Sequence, residues 1–421
     1  MRLLKKHLPS TITALILGGS SIASVNAAET TKENQSFSEA IKNGRAALNF
    51  RLRYEDVDIN NLANDDANAL TLKTRLNYKT GLYQGFSAFL EMDNVTELDG
   101  NDYPTSKGLK NSGNYPGKAI IADPTGTEIN QAYLGYTQGD TTTKYGRQRV
   151  LLDNQRFVGG VGFRQNEQTY DAFSISHKGK WDTKVFYAHI NNVNRIFGED
   201  DHFVSDTDSS SDLLNINYSG WDAGSLVFYS YLLDENKSDT QLDTQLDTYG
   251  LRFNGKKDNL SYQLEYATQE KQLSNGTEFD ADYMLAEAGL TVETVTVKVG
   301  FENLQSDNGN FAFATPLATA HKFEGWADQF LGTPNEGIKD MYFSAAGKLS
   351  GVKLLAVYHD FTSDTDNLSG DDDLGSEFGF VASKKFGDYG LSLKYANYSD
   401  GDSTFNKADT EKLWLTVNAD F

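Results

Sequence analysis

The chain has 421 residues, of which 38% are hydrophobic and 23% charged, with a formal net charge of −21 and no cysteine. The absence of cysteine excludes disulfides and thiolate metal sites. The acidic balance argues against a nucleic-acid partner, which requires basic patches against phosphate. The abundance of aromatics (22 Tyr, 25 Phe) and the scarcity of proline (6) favour strands.

The first residues have the pattern of a secretory signal. Three cations precede a short apolar stretch at 8–22, and small residues at 25–27 match a cleavage site. We therefore predict a signal peptide over residues 1–27 that directs export to the periplasm. The apolar stretch is too short to span a bilayer, and no other stretch comes near the roughly 18 apolar residues of a membrane helix. An exported chain of this kind is either soluble or a β-barrel.

The segment 28–43 is polar, with Phe37, Ala40 and Ile41 at helical spacing. It predicts a periplasmic N-terminal segment with a short amphipathic helix that ends at Gly44; the alternative is a helix that sits in the barrel mouth.

From residue 44 the hydrophobic period changes to two. Apolar residues occupy one face of each of the first three predicted strands, and charged residues recur on the other face. The charged faces carry Arg51, Arg53 and Glu55, then Lys73 and Arg75, then Glu91 and Asp93. A soluble sandwich rarely repeats charges so regularly, whereas a membrane barrel turns apolar residues to lipid and polar residues to its lumen.

Connections of alternating length support the same interpretation. Tight glycine-containing turns alternate with longer, mostly acidic loops, as in transmembrane barrels with short periplasmic turns and long extracellular loops. The long loops are predicted at 98–127, 191–211, 233–244, 270–280, 305–338, 362–374 and 399–409. We predict an all-β fold: a transmembrane antiparallel β-barrel of about 18 strands over residues 44–421, in the cell outer membrane.

The last predicted strand ends the chain on an aromatic residue. Apolar residues alternate along it to the terminal Phe421, a pattern typical of the signal that the barrel-assembly machinery reads; the alternative is an ordinary edge strand. Pairing of this strand with residues 46–57 would remove both sheet edges. We also expect tyrosines near strand ends to form girdles against outer-membrane lipid. They are Tyr54, Tyr78, Tyr136, Tyr187, Tyr218, Tyr231, Tyr283, Tyr342, Tyr358 and Tyr395.

Arginine is concentrated in one stretch, residues 145–171, which holds four of the eleven arginines of the chain. Guanidinium binds carboxylate or phosphate bidentately, so a series of arginines can pass an anion between weak sites. Alternatively, the arginines pair with lumen acids such as Glu55 and Glu167 and brace the wall; the two interpretations are compatible. The predicted pore-lining and constriction residues are Arg51, Arg53, Arg75, Arg147, Arg149, Arg156, Arg164, Glu91 and Asp93.

A second unusual stretch, residues 311–340, is too apolar for an exposed outer loop. We expect it to pack into or over the lumen, with His321, Lys322, Trp326 and Asp328 as a possible solute-contact surface. The alternative is a loop that packs only on its neighbours.

Three runs carry a family resemblance. They are YGRQRVLLDNQRFVGGVGFRQNEQTYDAF at 145–173, TPLATAHKFEGWADQFLGTPNEGIKD at 315–340, and FRLRYEDVD at 50–58. Together they resemble the alginate-export-type family of outer-membrane porins. The resemblance implies a single-chain barrel of eighteen strands. The alginate exporter of this family resembles an arginine-rich conduit for polyuronate. This chain departs from that pattern because its arginines are few and its loops are acidic.

The sequence therefore predicts a porin, not an enzyme, for passive diffusion of small or polymeric hydrophilic solutes that are anionic, carbohydrate or organic acid. No cofactor or metal site is expected, and the acidic loops at 206–212 and 371–373 lack the pattern of a calcium-binding loop. Lipopolysaccharide is the expected neighbour of those loops. One alternative is a barrel that serves as a surface receptor or adhesin; a more remote one is an outer-membrane hydrolase built on His359 and Asp360. The sequence leaves the oligomeric state and the direction of transport open.

Overall fold

The structure, a computed structural model, describes residues 33–60, 66–100, 103–105, 118–198, 206–236, 244–366, 370–401, 405 and 407–421. The predicted signal peptide lies outside the described residues. Eighteen antiparallel strands form one sheet. They are β1 Arg45–Ile59, β2 Ala67–Lys79, β3 Phe86–Glu97, β4 Gly126–Gln138, β5 Thr141–Gln148, β6 Thr169–Lys178, β7 Thr183–Asn194, β8 Asp206–Trp221, β9 Gly224–Asn236, β10 Thr244–Lys257, β11 Leu260–Leu273, β12 Glu278–Val292, β13 Val295–Leu304, β16 Ile338–Leu349, β17 Val352–Thr362, β18 Asp373–Phe386, β19 Tyr389–Ser399 and β20 Thr410–Asp420. A two-stranded hairpin, β14 Ser306–Asp307 and β15 Phe311–Ala312, lies in the connection between β13 and β16.

The sheet closes on itself because β1 pairs with both β2 and β20. The terminal residue takes part in the closure: Leu48 and Phe421 exchange two backbone hydrogen bonds, of 3.0 and 2.9 Å. The Phe421 ring meets the rings of Phe50 and Tyr389 edge-on. The predicted closed eighteen-stranded barrel is confirmed. Closure leaves no unpaired edge, which is what a sheet in lipid requires.

Side chains alternate along the strands between an outer face that is mostly apolar and an interior that holds the buried charged residues, with an apolar patch on β9 and β17. On β2 and β3 the outward-facing Leu76 and Leu90 are about half exposed, whereas the inward-facing Arg75 and Glu91 are almost completely buried. The same outward exposure of leucine and phenylalanine recurs around the barrel, as at Phe343 on β16. A band of exposed apolar residues on this scale is suited to lipid rather than to water.

The connections are short at one end of the barrel and longer at the other, and the start of β1 and the end of β20 lie at the short-turn end. Two predicted loops are wrong. β11 and β12 continue to residues 273 and 278, which leaves a turn at 274–277 in place of the loop at 270–280, and β8 begins at 206 within the predicted loop 191–211. Polar residues extend these strands because strand pairing provides hydrogen-bond partners for the backbone N–H and C=O groups whatever the side chains are. At the end of the β11–β12 pair, the side chain of Gln272 also donates to Glu278 at 2.9 Å. The tight turn at 293–294 was not anticipated.

The predicted position in the aromatic girdles is also wrong for three of the tyrosines. Tyr231, Tyr283 and Tyr342 lie on the inner face of their strands. The hydroxyls of Tyr283 and Tyr342 donate to Glu302 and Glu287, at 2.7 and 2.9 Å. A phenol carries its own donor, so a polar interior accommodates tyrosine as readily as an interface does.

One short helix, α1 (Phe37–Lys42), precedes the barrel, in the segment where the sequence indicated a helix. Its N-cap is Ser36, whose hydroxyl accepts from the backbone N–H of Glu39 at 3.2 Å. No helix in the described part of the chain is long and apolar enough to cross a bilayer.

Candidate functional site: the loop-filled interior

Two connections fold into the barrel: the β5–β6 loop, residues 149–168, and the β13–β16 loop, residues 305–337. The β5–β6 loop begins by crossing the interior. Arg156 donates from Nε to Glu302 at 2.6 Å and from Nη2 to Glu324 at 2.5 Å. Glu302 belongs to β13, which stands eight strands from β5 in a barrel of eighteen. The crossing therefore reaches almost the opposite wall.

An aromatic anchor holds the far end of this crossing. The Phe157 ring lies 5.2 Å from the rings of both Tyr229 and Tyr283, and 5.7 Å from that of Phe313. These neighbours come from β9, β12 and the β13–β16 loop. The contact with Phe157 explains why Tyr283, which was expected at the membrane interface, faces inward.

The second half of the β5–β6 loop returns to the first strands. Arg164 donates to Glu55 of β1 at 2.9 Å and to Asp328 at 3.1 Å. Arg51 donates from Nη1 to the carbonyls of residues 162–164 at 3.0–3.2 Å. Arg156 and Arg164 were predicted as pore lining; they lie buried in ion pairs that fasten the loop to two walls.

Five charged residues make the densest network at the base of this loop. Arg75 donates to Asp93 from Nε and Nη2, at 2.7 and 2.5 Å, and to Glu167 at 2.9 Å. Arg149 donates to Glu167 and, at 2.5 Å, to Glu91. Burial alone raises the pKa of Glu167, but the guanidiniums of Arg149 and Arg75 hold it well below its usual range. Glu167 is therefore an anion between two cations.

Arg75, Arg149 and Arg164 thus meet acids that the bracing alternative named. Arg147 differs from the others: it lies on the outward face of β5, the face of the exposed Tyr145, rather than on the predicted inner face, and it pairs with Asp171 at 3.0 Å. Arg53 contacts Asp123 at 3.7 Å, and its guanidinium lies 4.3 Å from the Phe163 ring centroid.

The β13–β16 loop is fixed to the wall through an aspartate. Asp328 accepts from His321 at 2.6 Å, from Lys412 at 2.8 Å and from Arg164 at 3.1 Å. The Lys394 ammonium donates to the second nitrogen of His321 at 2.6 Å and lies 4.2 Å from the Trp326 ring. Burial, only partly opposed by Asp328, lowers the pKa of His321 to about 3, which keeps the imidazole neutral.

A second carboxylate fixes the same loop. Glu377 on β18 accepts from the backbone N–H groups of Trp326 and Ala327. Lys322 donates to the carbonyl of Asn154 at 2.6 Å. The residues expected to contact solute are therefore engaged with the wall and with the β5–β6 loop.

The two loops also pair with each other. Val158 and Leu317 form an isolated parallel bridge, and Gly159 donates to the carbonyl of Leu317 at 2.8 Å. The backbone N–H of Thr319 donates to the carbonyl of Gln155 at 3.0 Å. The loops therefore form one connected body inside the barrel, which we call the interior loop pair.

Lys73 lies on the predicted inner face of β2 but is not among the predicted pore-lining residues. It lies directly opposite Arg51 in the β1–β2 register. Its side chain is buried, and its ammonium has no hydrogen-bond partner among the described residues. Adjacent like charges destabilise a sheet, so this position favours an additional anion.

The barrel walls differ in charge. The buried charges of β1 and β2 are mostly cationic, at Arg51, Arg53, Lys73 and Arg75. On β11–β18 the buried side chains include the acids Glu265, Glu302, Asp340 and Glu377 and no lysine or arginine. The acidic wall could have been predicted from the sequence. Successive residues of a strand point alternately inward and outward, and this alternation assigns Glu302, Asp340 and Glu377 on β13, β16 and β18 to the interior.

The pair proposed for a hydrolase is not formed. His359 points inward and bonds Asp340 at 2.8 Å, whereas Asp360 is exposed on the opposite face. Successive residues of a strand point to opposite faces, so neighbours in sequence cannot act together here. Across the described ranges, no cluster of three or more His, Asp or Glu side chains could hold a metal ion.

A closed barrel with an apolar belt, a charged interior and inward-folded loops defines the porins and channels of the outer membrane. The chain belongs to the alginate export family, whose model matches residues 45–317. This membership places the chain in the outer membrane, in a family of channel proteins.

Solved structures of similar fold include Acinetobacter baumannii OccAB2, at 16% identity and a TM-score of 0.70, and Pseudomonas aeruginosa OccK9 (OpdG), at 12% and 0.69; each comparison covers 91% of this chain and 99% of the other. Pseudomonas aeruginosa OpdK, solved with vanillate, matches at 10% identity and 0.65 over 90% and 99%. At these identities the likeness concerns the fold alone. No curated protein matches the sequence.

Proposed function

We propose that this protein is a passive channel for small hydrophilic anions, with organic carboxylates as the preferred solutes. The observation that carries the proposal is the buried ammonium of Lys73, without a hydrogen-bond partner in the described residues and opposite Arg51. A carboxylate between two cations would satisfy both the charge and the missing hydrogen bonds. That OpdK has been solved with vanillate, a carboxylate, is consistent with this class of solute.

Passage needs weak sites. Arg51 already donates to three loop carbonyls, and Arg75 already holds two carboxylates. A solute anion would therefore compete with existing partners and be released readily, as conduction requires. The acids on the facing wall would orient the solute across the lumen without binding it.

The interior loop pair favours small solutes over polymers. Its contacts run from β13 through Arg156 to β1 through Arg164, so a long chain would meet it at mid-lumen. A polyuronate conduit requires a continuous basic path, whereas here Arg156 is enclosed by Glu302 and Glu324.

The test is Lys73→Gln, which keeps a polar side chain and removes the charge. Reconstituted in planar bilayers under a salt gradient, the variant should shift its reversal potential towards cations, and vanillate influx into liposomes should fall several-fold. Lys180→Gln, in the turn at 179–182, is the control. Unchanged selectivity and flux in Lys73→Gln would remove the site, and absence of conductance in the parent protein would favour a surface receptor.

A further inference from the structure

Helix α1 presents an apolar face that the other described residues of the chain leave uncovered. Phe37 is 66% exposed and Ile41 44% exposed. Positions i and i+4 lie on the same side of a helix, so the two side chains form one surface. Ala40, beside them, is buried against the barrel.

The helix is firmly attached to the short-turn end. The carbonyl of Ala40 accepts from the backbone N–H of Gly81 at 2.8 Å, and Glu33 accepts from the N–H of Gly85 at 3.0 Å. Both partners lie in the turn between β2 and β3. Asn34 adds two bonds to the carbonyl of Leu82, at 2.9 and 2.7 Å.

Its position is at the outer edge of the rim. On β2, Arg75 and Asn77 point inward, so Tyr78 points outward; its hydroxyl donates to the carbonyl of Ile41. A Cβ on Gly44 would overlap the Tyr78 ring, so the chain passes close along the outside of this tyrosine before entering β1.

This end of the barrel already carries a belt of exposed aromatic residues on its outward face. They are Phe86, Trp181, Trp221, Phe386, Tyr389 and Phe421. Aromatic residues at this level of a membrane barrel lie in the headgroup region of the bilayer. The apolar face of α1 continues that belt around Tyr78.

From this continuity we propose that α1 is an interfacial helix, seated in the phospholipid leaflet at the short-turn end with Phe37 and Ile41 in the lipid. Lys42 and Arg45, both exposed, flank the apolar face and suit the phosphates of anionic phospholipids. Glu39 lies on the opposite side of the helix, towards water. The surface thus matches a lipid interface in its apolar side chains, its cations and its place on the rim.

The chain lacks cysteine, so single cysteines can be spin-labelled without background. Mature protein carrying Phe37→Cys or Ile41→Cys is reconstituted in phosphatidylethanolamine–phosphatidylglycerol vesicles, and collisions with oxygen and with a water-soluble nickel chelate are compared. Each variant keeps the other apolar residue. Glu39→Cys is the water-facing control, where the backbone N–H still donates to the hydroxyl of the N-cap residue Ser36, and Leu90→Cys is the lipid-facing reference.

The ratio of oxygen to nickel accessibility should be several-fold higher at positions 37 and 41 than at 39, and should approach the ratio at position 90. Equal, water-like ratios at 37, 39 and 41 in correctly folded protein would overturn the proposal. Heat-modifiable migration on gels checks folding before each measurement. Protection at 37 and 41 that occurs only in native membranes would point to a protein partner and would likewise overturn lipid seating.

Discussion

Replacing Glu167 with glutamine tests whether ion pairs hold the β5–β6 loop inside the barrel. The carboxylate is buried between Arg75, at 2.9 Å, and Arg149, and it also accepts weakly from Asn130 at 3.4 Å. The amide keeps the size of the side chain and removes its charge. Removal of one partner from a buried ion pair generally costs about 3–5 kcal/mol.

The cost here should be lower because neither arginine is left alone. Arg75 keeps Asp93, and Arg149 keeps Glu91. We therefore expect the free energy of loop opening to fall by about 2–3 kcal/mol, in the range of lost charged hydrogen bonds. At about 1.4 kcal/mol per factor of ten, amide hydrogens of residues 155–168 should exchange roughly 30- to 150-fold faster. Hydrogen-exchange mass spectrometry on the reconstituted barrel measures this directly.

The pH dependence gives an independent check. The pKa of Glu167 in the folded protein lies below its usual value. The stabilisation of the closed loop by Glu167 is therefore fully present above the unfolded pKa of about 4.3, and it is lost as the pH falls through the folded pKa. The difference between parent and variant should thus be constant from pH 7 to about pH 5 and shrink below about pH 4. Glu278→Gln, in an outer hairpin, is the control. Parent-like exchange at pH 7 in Glu167→Gln would refute the reasoning.

Three further changes probe other parts of the interior. Replacing both Arg147 and Arg149 with alanine leaves Glu91 less compensated, so the reversal potential in planar bilayers should move towards cations; an unchanged value removes both residues from the conducting path. Asp328→Asn leaves two cations, Lys412 and Arg164, and the neutral His321 without their shared carboxylate and should loosen the β13–β16 loop by about 3 kcal/mol, seen as faster limited proteolysis within 315–330; parent-like resistance counts against the role of Asp328 in fixing the loop. Phe157→Ala empties the aromatic anchor at a cost of about 3–4 kcal/mol and should raise single-channel conductance; a lower conductance contradicts the crossing.

The barrel itself was predictable because lipid imposes simple rules. A period of two, turns of alternating length and a terminal aromatic are local patterns, and together they predicted eighteen strands and closure. Parity along β1 and β2 also assigned Arg51, Arg53 and Arg75 to the interior, where the structure places them. The residues at the membrane interfaces were harder to predict, since tyrosine suits both a headgroup region and a polar lumen.

The site could be predicted only in part because its contacts join distant residues. Arg156 and Glu302 are 146 positions apart, and nothing in either local sequence indicates the other. Long-range contacts of this kind depend on where a loop folds. The sequence predicted that opposed charges would meet; it could not predict that they would fasten two loops to each other and to three walls.

The β5–β6 loop also has a mechanical consequence. Without its interior loops, an eighteen-stranded barrel would rely on hydrogen bonds between strands alone to keep its cross-section round. Arg156 reaches β13, eight strands from β5, and Arg164 reaches β1, four strands from β5 in the other direction, so the loop braces distant parts of the wall. Lateral pressure from the bilayer that flattens the ring would have to stretch or break these ion pairs. The loop that narrows the channel is therefore also what stiffens it.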